Sequence, residues 1–79
     1  MRNDHKVIIY STDTCPYCIM AKDWFKEKGV TFEAKNVGTD QVVAQEMVTK
    51  SGQMGVPVIE IDGKIMVGFQ PEAFTSLLS

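Results

Sequence analysis

The alternation of apolar and polar positions divides the chain into seven short elements. Lys6–Ser11, KVIIYS, is a compact run rich in β-branched residues and flanked by polar ones, the pattern of a buried strand. Pro16–Gly29 reads as a helix, with Pro16 suited to its first position and Gly29 to its C-terminal cap. Cys18, Ala21 and Phe25 recur at helical spacing and should face the core, leaving Lys22, Asp23, Lys26 and Glu27 on the wet side. Val30–Val37 alternates partly and reads as a second strand. A helix joining two strands makes them parallel neighbours with a right-handed crossover.

Thr39–Gly52 carries a capping residue, Thr39 or Asp40, then Val43 and Met47 on one face, then Gly52 as a stop, so it reads as a second helix. Val56–Gly68 holds two β-rich runs around Asp62-Gly63, a strong short hairpin signal. Gln70–Ser79 closes with a short helix that Pro71 can start, its apolar face being Phe74, Leu77 and Leu78. The order β-α-β-α-β-β-α is met by an α/β domain with a mixed four-stranded sheet and helices on its faces.

Composition narrows the class. Seventy-nine residues suit one domain, 1–79, with one core. With 44% hydrophobic and 23% charged residues the balance is that of a folded domain rather than a disordered chain. A net charge of −2 offers no basic field for nucleic acid. The start, MRNDHKVIIYSTD, lacks the long apolar run of a signal peptide, and no stretch reaches the length of a membrane span. A cytoplasmic protein is therefore expected, in a compartment that keeps thiols reduced.

Both cysteines lie in TCPYCIM, at Cys15 and Cys18. Two thiols at this spacing can staple a loop, hold a metal or carry electrons. A staple between them would close a very small loop and constrain the unfolded chain little. Tetrahedral zinc needs four Cys or His ligands, and the chain offers two Cys and His5. An iron–sulfur cluster shared by two chains would reach four thiolates and remains an alternative. No metal ligand set is assigned.

The electron-carrying reading uses the helix. If the helix begins at Pro16, Cys15 stands at its N-cap, where unpaired backbone N–H groups and the helix dipole favour an anion. The thiolate is the nucleophile, and such settings bring thiol pKa values down from about 8.5 to roughly 3.5–7.5. Cys18, one turn on, comes back beside Cys15 within disulfide reach and should be the more buried. Cys15 then attacks a substrate disulfide, and Cys18 resolves the mixed disulfide. Pro16 stiffens the turn between them. Lys22 lies one turn below Cys18, and Asp13 would oppose a thiolate if close. Tyr17 reads equally as an exposed ring or a substrate contact. Trp24 and Met47 read as packing, Met54 as a groove-lining candidate, and His5 as a solvated flank residue.

CPYC directly after a first strand, within a βαβ pattern, is the mark of a thioredoxin-like redox motif. YSTDTCPYCIMAKDWF resembles the opening of glutaredoxins, and GQMGVPVIEIDGKIMVGF resembles their second half. The resemblance runs from Lys6 to Leu78 and is nearest to small bacterial glutaredoxin-like proteins, including NrdH-type redoxins that donate electrons to ribonucleotide reductase. It implies the thioredoxin-like (glutaredoxin) fold and dithiol exchange with protein disulfides or glutathione mixed disulfides. It also implies no tightly bound cofactor and a monomer as the working state. It makes Pro57 a cis-proline and turns the Val56 backbone toward the substrate's cysteinyl segment. Thr12, Pro16, Tyr17, Gly55, Val56, Pro57, Gly68, Phe69 and Gln70 are the matching substrate-side positions. Two of them depart from glutathione-binding members. Thr12 stands where a Lys or Arg is usual, and Phe69 replaces the second Gly of a Gly-Gly turn. Reduction by a thioredoxin-reductase-type flavoenzyme is the alternative to glutathione that these departures raise.

Overall fold

The structure is a computed structural model that describes residues 5–78. Its elements are β1 (Val7–Ser11), α1 (Pro16–Glu27), β2 (Glu33–Asn36), α2 (Gln41–Ser51), β3 (Val58–Ile61), β4 (Lys64–Val67) and α3 (Pro71–Leu78). Ser79, the last residue of the helix expected at the end, lies outside the described residues. So does the stretch before His5 that entered the reading of the chain start and of the 1–79 domain.

The sheet order is β2-β1-β3-β4, with β1 parallel to β2 and β3 antiparallel to both of its neighbours. This is the mixed four-stranded sheet that the element order requires. Val7, Ile9, Ile59 and Ile61 pack with Ala21 and Phe25 of α1 and Phe74 and Leu78 of α3. Ile8, Tyr10 and Val58 point the other way, to Met47 of α2. Both faces of β1 and β3 are thus covered, which is why β1 reads as a nearly continuous apolar run and β3 is apolar but for Glu60. An aromatic cluster fills the first layer: Trp24 meets Phe25 and Phe74 edge-on, with ring centroids 5.0 and 5.5 Å apart. Trp24 is a packing residue, as its spacing suggested.

The second layer is polar at its rim. The Tyr10 hydroxyl donates to Glu46 Oε2 at 2.6 Å and accepts from Lys50 Nζ at 3.1 Å. Lys50 also pairs with the buried Glu60 at 2.8 Å, and Lys35 with Glu46 at 3.2 Å. The even-numbered positions of β1 and β3 that face α2 therefore carry a hydroxyl and a carboxylate, and α2 supplies the partners that their burial requires.

Two expectations are corrected. The second strand was expected from Val30 but pairs only from Glu33, opposite Ile8. The helix takes the missing residues. Val30 N donates to Phe25 O and Gly29 N to Lys26 O, with Gly29 at φ 71°, a Schellman cap that spends Val30's amide on α1. The side chains of Val30 and Phe32 then go to the core. His5 was expected in solvent, yet its side chain is only 15% exposed, hydrogen-bonded to Asp62 and to Leu78 O. The antiparallel register opposes Val7 to Ile61, so the hairpin turn folds back on the segment before β1. Asp62 and Gly63 both adopt positive φ in that turn, as an Asp-Gly hairpin demands. The α2 cap is Asp40, whose carboxylate accepts from Val42 N and Val43 N.

Candidate active site

The C-terminal end of β1 delivers the chain to the N-terminus of α1. Cys15 is the N-cap residue, extended at φ −91° and ψ 112°, followed by Pro16 at the first helical position. Its Sγ accepts from Cys18 N at 3.3 Å, one of the orphan amides of the helix start. Its carbonyl accepts from Ile19 N at 3.2 Å. Cys15 is half-buried, while Cys18 is fully buried one turn along. Both are free thiols. This is the asymmetry needed for one accessible nucleophile backed by one sheltered partner.

Burial pushes the Cys18 thiol up to about 11, and its hydrogen bond with Cys15 acts in the same direction. The Thr12 backbone N–H and the Lys22 ammonium pull it back down. Cys18 is therefore held as a thiol in the reduced protein and keeps a donor for the neighbouring sulfur.

Across from Cys15 runs the segment before β3. The Val56 carbonyl is 3.9 Å from Cys15 Sγ and accepts from its thiol. The Val56–Pro57 bond is cis, as the resemblance implied. Pro57 is buried, and its carbonyl accepts from Gly68 N at 2.8 Å, so the turn after β4 is tied to the same segment. Gly68 sits at φ 90°, where a side chain would be strained. Cys15, Cys18, Pro16, Val56, Pro57 and Gly68 thus form one connected centre. Tyr17 is 61% exposed beside it.

The other expected positions stand differently. Thr12 gives its backbone N–H to Cys18 while its side chain lies against Gly38 in the loop after β2. Phe69 turns its ring onto Phe74, centroids 6.1 Å apart, and Gln70 Nε2 donates to Val67 O at 2.6 Å. Met54 is 81% exposed. Asp13 is engaged by Asn36, whose Nδ2 donates to its carboxylate at 3.0 Å. Among the described residues no three His, Cys, Asp or Glu side chains converge as a metal site would need. Two contributors escaped the sequence reading: Asn36, which ties the loop before Cys15 to β2, and Gln53, which bonds the backbone of Gly55. Neither has a signal in spacing or hydropathy, because each acts through a polar contact set by loop geometry.

An N-capping thiol, a buried second thiol one turn on and a cis-proline segment facing them define the dithiol exchange class on a thioredoxin-like fold. Comparison with known proteins agrees. The glutaredoxin family model matches residues 7–66. The chain is 46% identical over 70 residues to a glutaredoxin-like 8.6 kDa protein in the rubredoxin operon of Clostridium pasteurianum, covering 89% of this chain and 93% of that one. It is 32% identical over 71 residues to the glutaredoxin-like protein NrdH of Lactococcus lactis, covering 90% and 97%. The crystal structure of a glutaredoxin from Archaeoglobus fulgidus superposes with a TM-score of 0.83 at 27% identity, over 91% of this chain and 84% of that one. The chain belongs to the glutaredoxin family. It is a thiol–disulfide oxidoreductase that passes electrons through Cys15 and Cys18.

Proposed function

We propose that this protein reduces protein disulfides and glutathione mixed disulfides by a dithiol cycle, and that a thioredoxin-reductase-type flavoenzyme returns its electrons. Cys15 thiolate attacks one sulfur of the substrate disulfide and expels the other as a thiolate, leaving a mixed disulfide. Cys18 attacks Cys15 Sγ, releases the second substrate sulfur and closes the Cys15–Cys18 disulfide. The proton lost by Cys18 is taken up by the leaving thiolate, and two electrons have moved to the substrate. The observation that carries this reading is Cys15 Sγ on the Cys18 amide, with the sheltered Cys18 thiol beside it. The backbone of Val56 pairs with the substrate's cysteinyl segment, while Pro16, Tyr17 and Gly55 border it.

The choice of reductant rests on the turn after β4. Glutathione offers two carboxylates that want cations or free amides. Thr12 gives no cation, Gly68 N is spent on Pro57 O, and Pro71 has no N–H. Phe69 adds an aromatic surface instead. A second reading, with glutathione as reductant, is favoured by an open cleft of about 450 Å³ lined by Gln70, Pro71, Glu72 and Ala73 at the start of α3. An NrdH-type role, donating electrons to ribonucleotide reductase, follows from the flavoenzyme reading. In either case we propose a monomeric single domain working in the cytoplasm with no resident cofactor.

Turnover of a protein disulfide with thioredoxin reductase and NADPH, compared with glutathione, glutathione reductase and NADPH, separates the readings. The flavoenzyme arm should be the faster. A faster glutathione arm would reverse the assignment. Cys15→Ser should abolish both, and Cys18→Ser should trap mixed disulfides while keeping monothiol deglutathionylation. Full activity in Cys15→Ser would overturn the cycle itself. Iron analysis and the visible spectrum of anaerobically purified protein test the cluster alternative.

A further inference from the structure

We propose that Gln53 is the positioning residue that presets the Gly55–Val56 backbone for a peptide substrate. The inference rests on the reading that Val56 pairs with the substrate's cysteinyl segment.

The segment between α2 and β3 contains no regular structure, yet it must present Val56 at a fixed distance from Cys15 Sγ. The Gln53 side chain supplies the missing constraint. Its Oε1 accepts from Gly55 N at 2.6 Å, and its Nε2 donates to Gly55 O at 3.0 Å. One amide thus occupies both polar groups of the residue immediately before Val56, as a neighbouring strand would. Gln53 is itself anchored. The single Ser51 hydroxyl proton is shared between Met47 O, 2.7 Å from Oγ, and Gln53 O, 3.0 Å from it, tying the segment to the last turn of α2.

The clamp explains the glycine. A Cβ on Gly55 would lie 2.7 Å from Gln53 Oε1. The side-chain amide would have to swing away, and both bonds would go with it. Among the described residues only the Cys15 thiol bonds the Val56 backbone. The arrangement therefore satisfies Gly55 internally and reserves Val56 for an incoming chain. Holding a loop in its bound conformation removes an ordering cost from association and improves peptide capture. The effect should be absent for a disulfide that has no backbone amide to pair.

The test compares two substrates of the full chain: a short peptide with an internal disulfide, and bis(2-hydroxyethyl) disulfide. Gln53→Ala should lower the ratio of kcat/KM for peptide over small disulfide by about five- to tenfold, mostly through KM. That is the size expected from losing hydrogen bonds that order a loop. Gln53→Glu keeps the shape and the acceptor for Gly55 N but turns a carboxylate oxygen toward Gly55 O, so it should lower the ratio as well. Gly55→Ala should reproduce the Ala effect. An unchanged ratio in Gln53→Ala, or equal losses on both substrates in parallel with a lowered Tm, would overturn the proposal and leave Gln53 a structural residue. The underlying reading has its own control on wild type: a peptide with an ester in place of the amide expected opposite Val56 should turn over more slowly. If wild type treats ester and amide alike, the pairing reading fails independently of any Gln53 result.

Discussion

The second half of the cycle should be limited by the protonation of Cys18. In the reduced protein its thiol stands at about 11, so at about pH 7 only about one molecule in ten thousand carries the Cys18 thiolate. That value has several causes, and they do not all persist. Once Cys15 is in a mixed disulfide, its hydrogen bond and its charge no longer oppose ionisation of Cys18. Burial, the largest cause, remains, and so do the Thr12 N–H and the Lys22 ammonium that favour the anion. The resolving thiol should therefore ionise more readily than in the reduced protein, with burial still opposing the anion. Resolution should accelerate as pH rises from about 7, by up to about tenfold per unit while the thiol form predominates. Stopped-flow mixing with an aromatic disulfide whose thiolate is coloured gives two phases. Cys15 releases the first equivalent and Cys18 the second. Cys18→Ser should lack the second phase. Lys22→Met should slow it at fixed pH and move its rise upward. A second phase that is flat over this pH range, or one accelerated by Lys22→Met, would refute the argument that burial governs this sulfur.

Two further predictions concern the polar network under α2. Lys50→Met strands Glu60, whose side chain is only 12% exposed, and removes a donor from Tyr10 and Glu46. Breaking a buried pair costs about 3–5 kcal/mol, and the partial exposure of Lys50 and Glu46 reduces this to about 2. Tm should fall by about 8–16 °C, whereas a fall of a degree or two would mean the network is dispensable; Glu60→Gln in the same chain should restore part of the loss. Hydrogen bonds from Tyr10, Lys35 and Lys50 hold the Glu46 carboxyl down to about 2, against its ordinary 4.5. Its folded pKa lies below its unfolded one, so its stabilisation is complete above about 4.5 and is lost as pH falls toward about 2. Urea midpoints across that window should drop in wild type and drop less in Glu46→Gln; identical slopes would exclude Glu46 as the source.

Much of the molecule was written in local pattern. The β-branched run of β1, Pro16 at the head of α1, Gly29 and Gly52 beyond the helix ends and the Asp62-Gly63 turn each follow from the conformational preference of a few adjacent residues, and each was found where expected. The reactive centre was equally local, because Cys15 and Cys18 sit on one helical turn whose start sets both the amide contact and the spacing. Other features depended on which partner a polar group finds in the folded chain, whether a few residues away or many. Where β2 begins was decided by the C-terminal cap of α1, which takes the Val30 amide before the sheet can. His5 lost its solvent because the sheet register brings Asp62 back beside it. Asn36 is unremarkable in sequence and acquires its role only when folding sets its amide against Asp13, while Gln53 bonds Gly55 two residues on, through a loop shape that no spacing rule encodes. Sequence by itself determined what obeys the short-range rules of helix, strand, turn and cap. Tertiary structure decided which backbone donors and buried charges compete for the same partner, because that competition is settled by distances between segments that the order of residues does not contain.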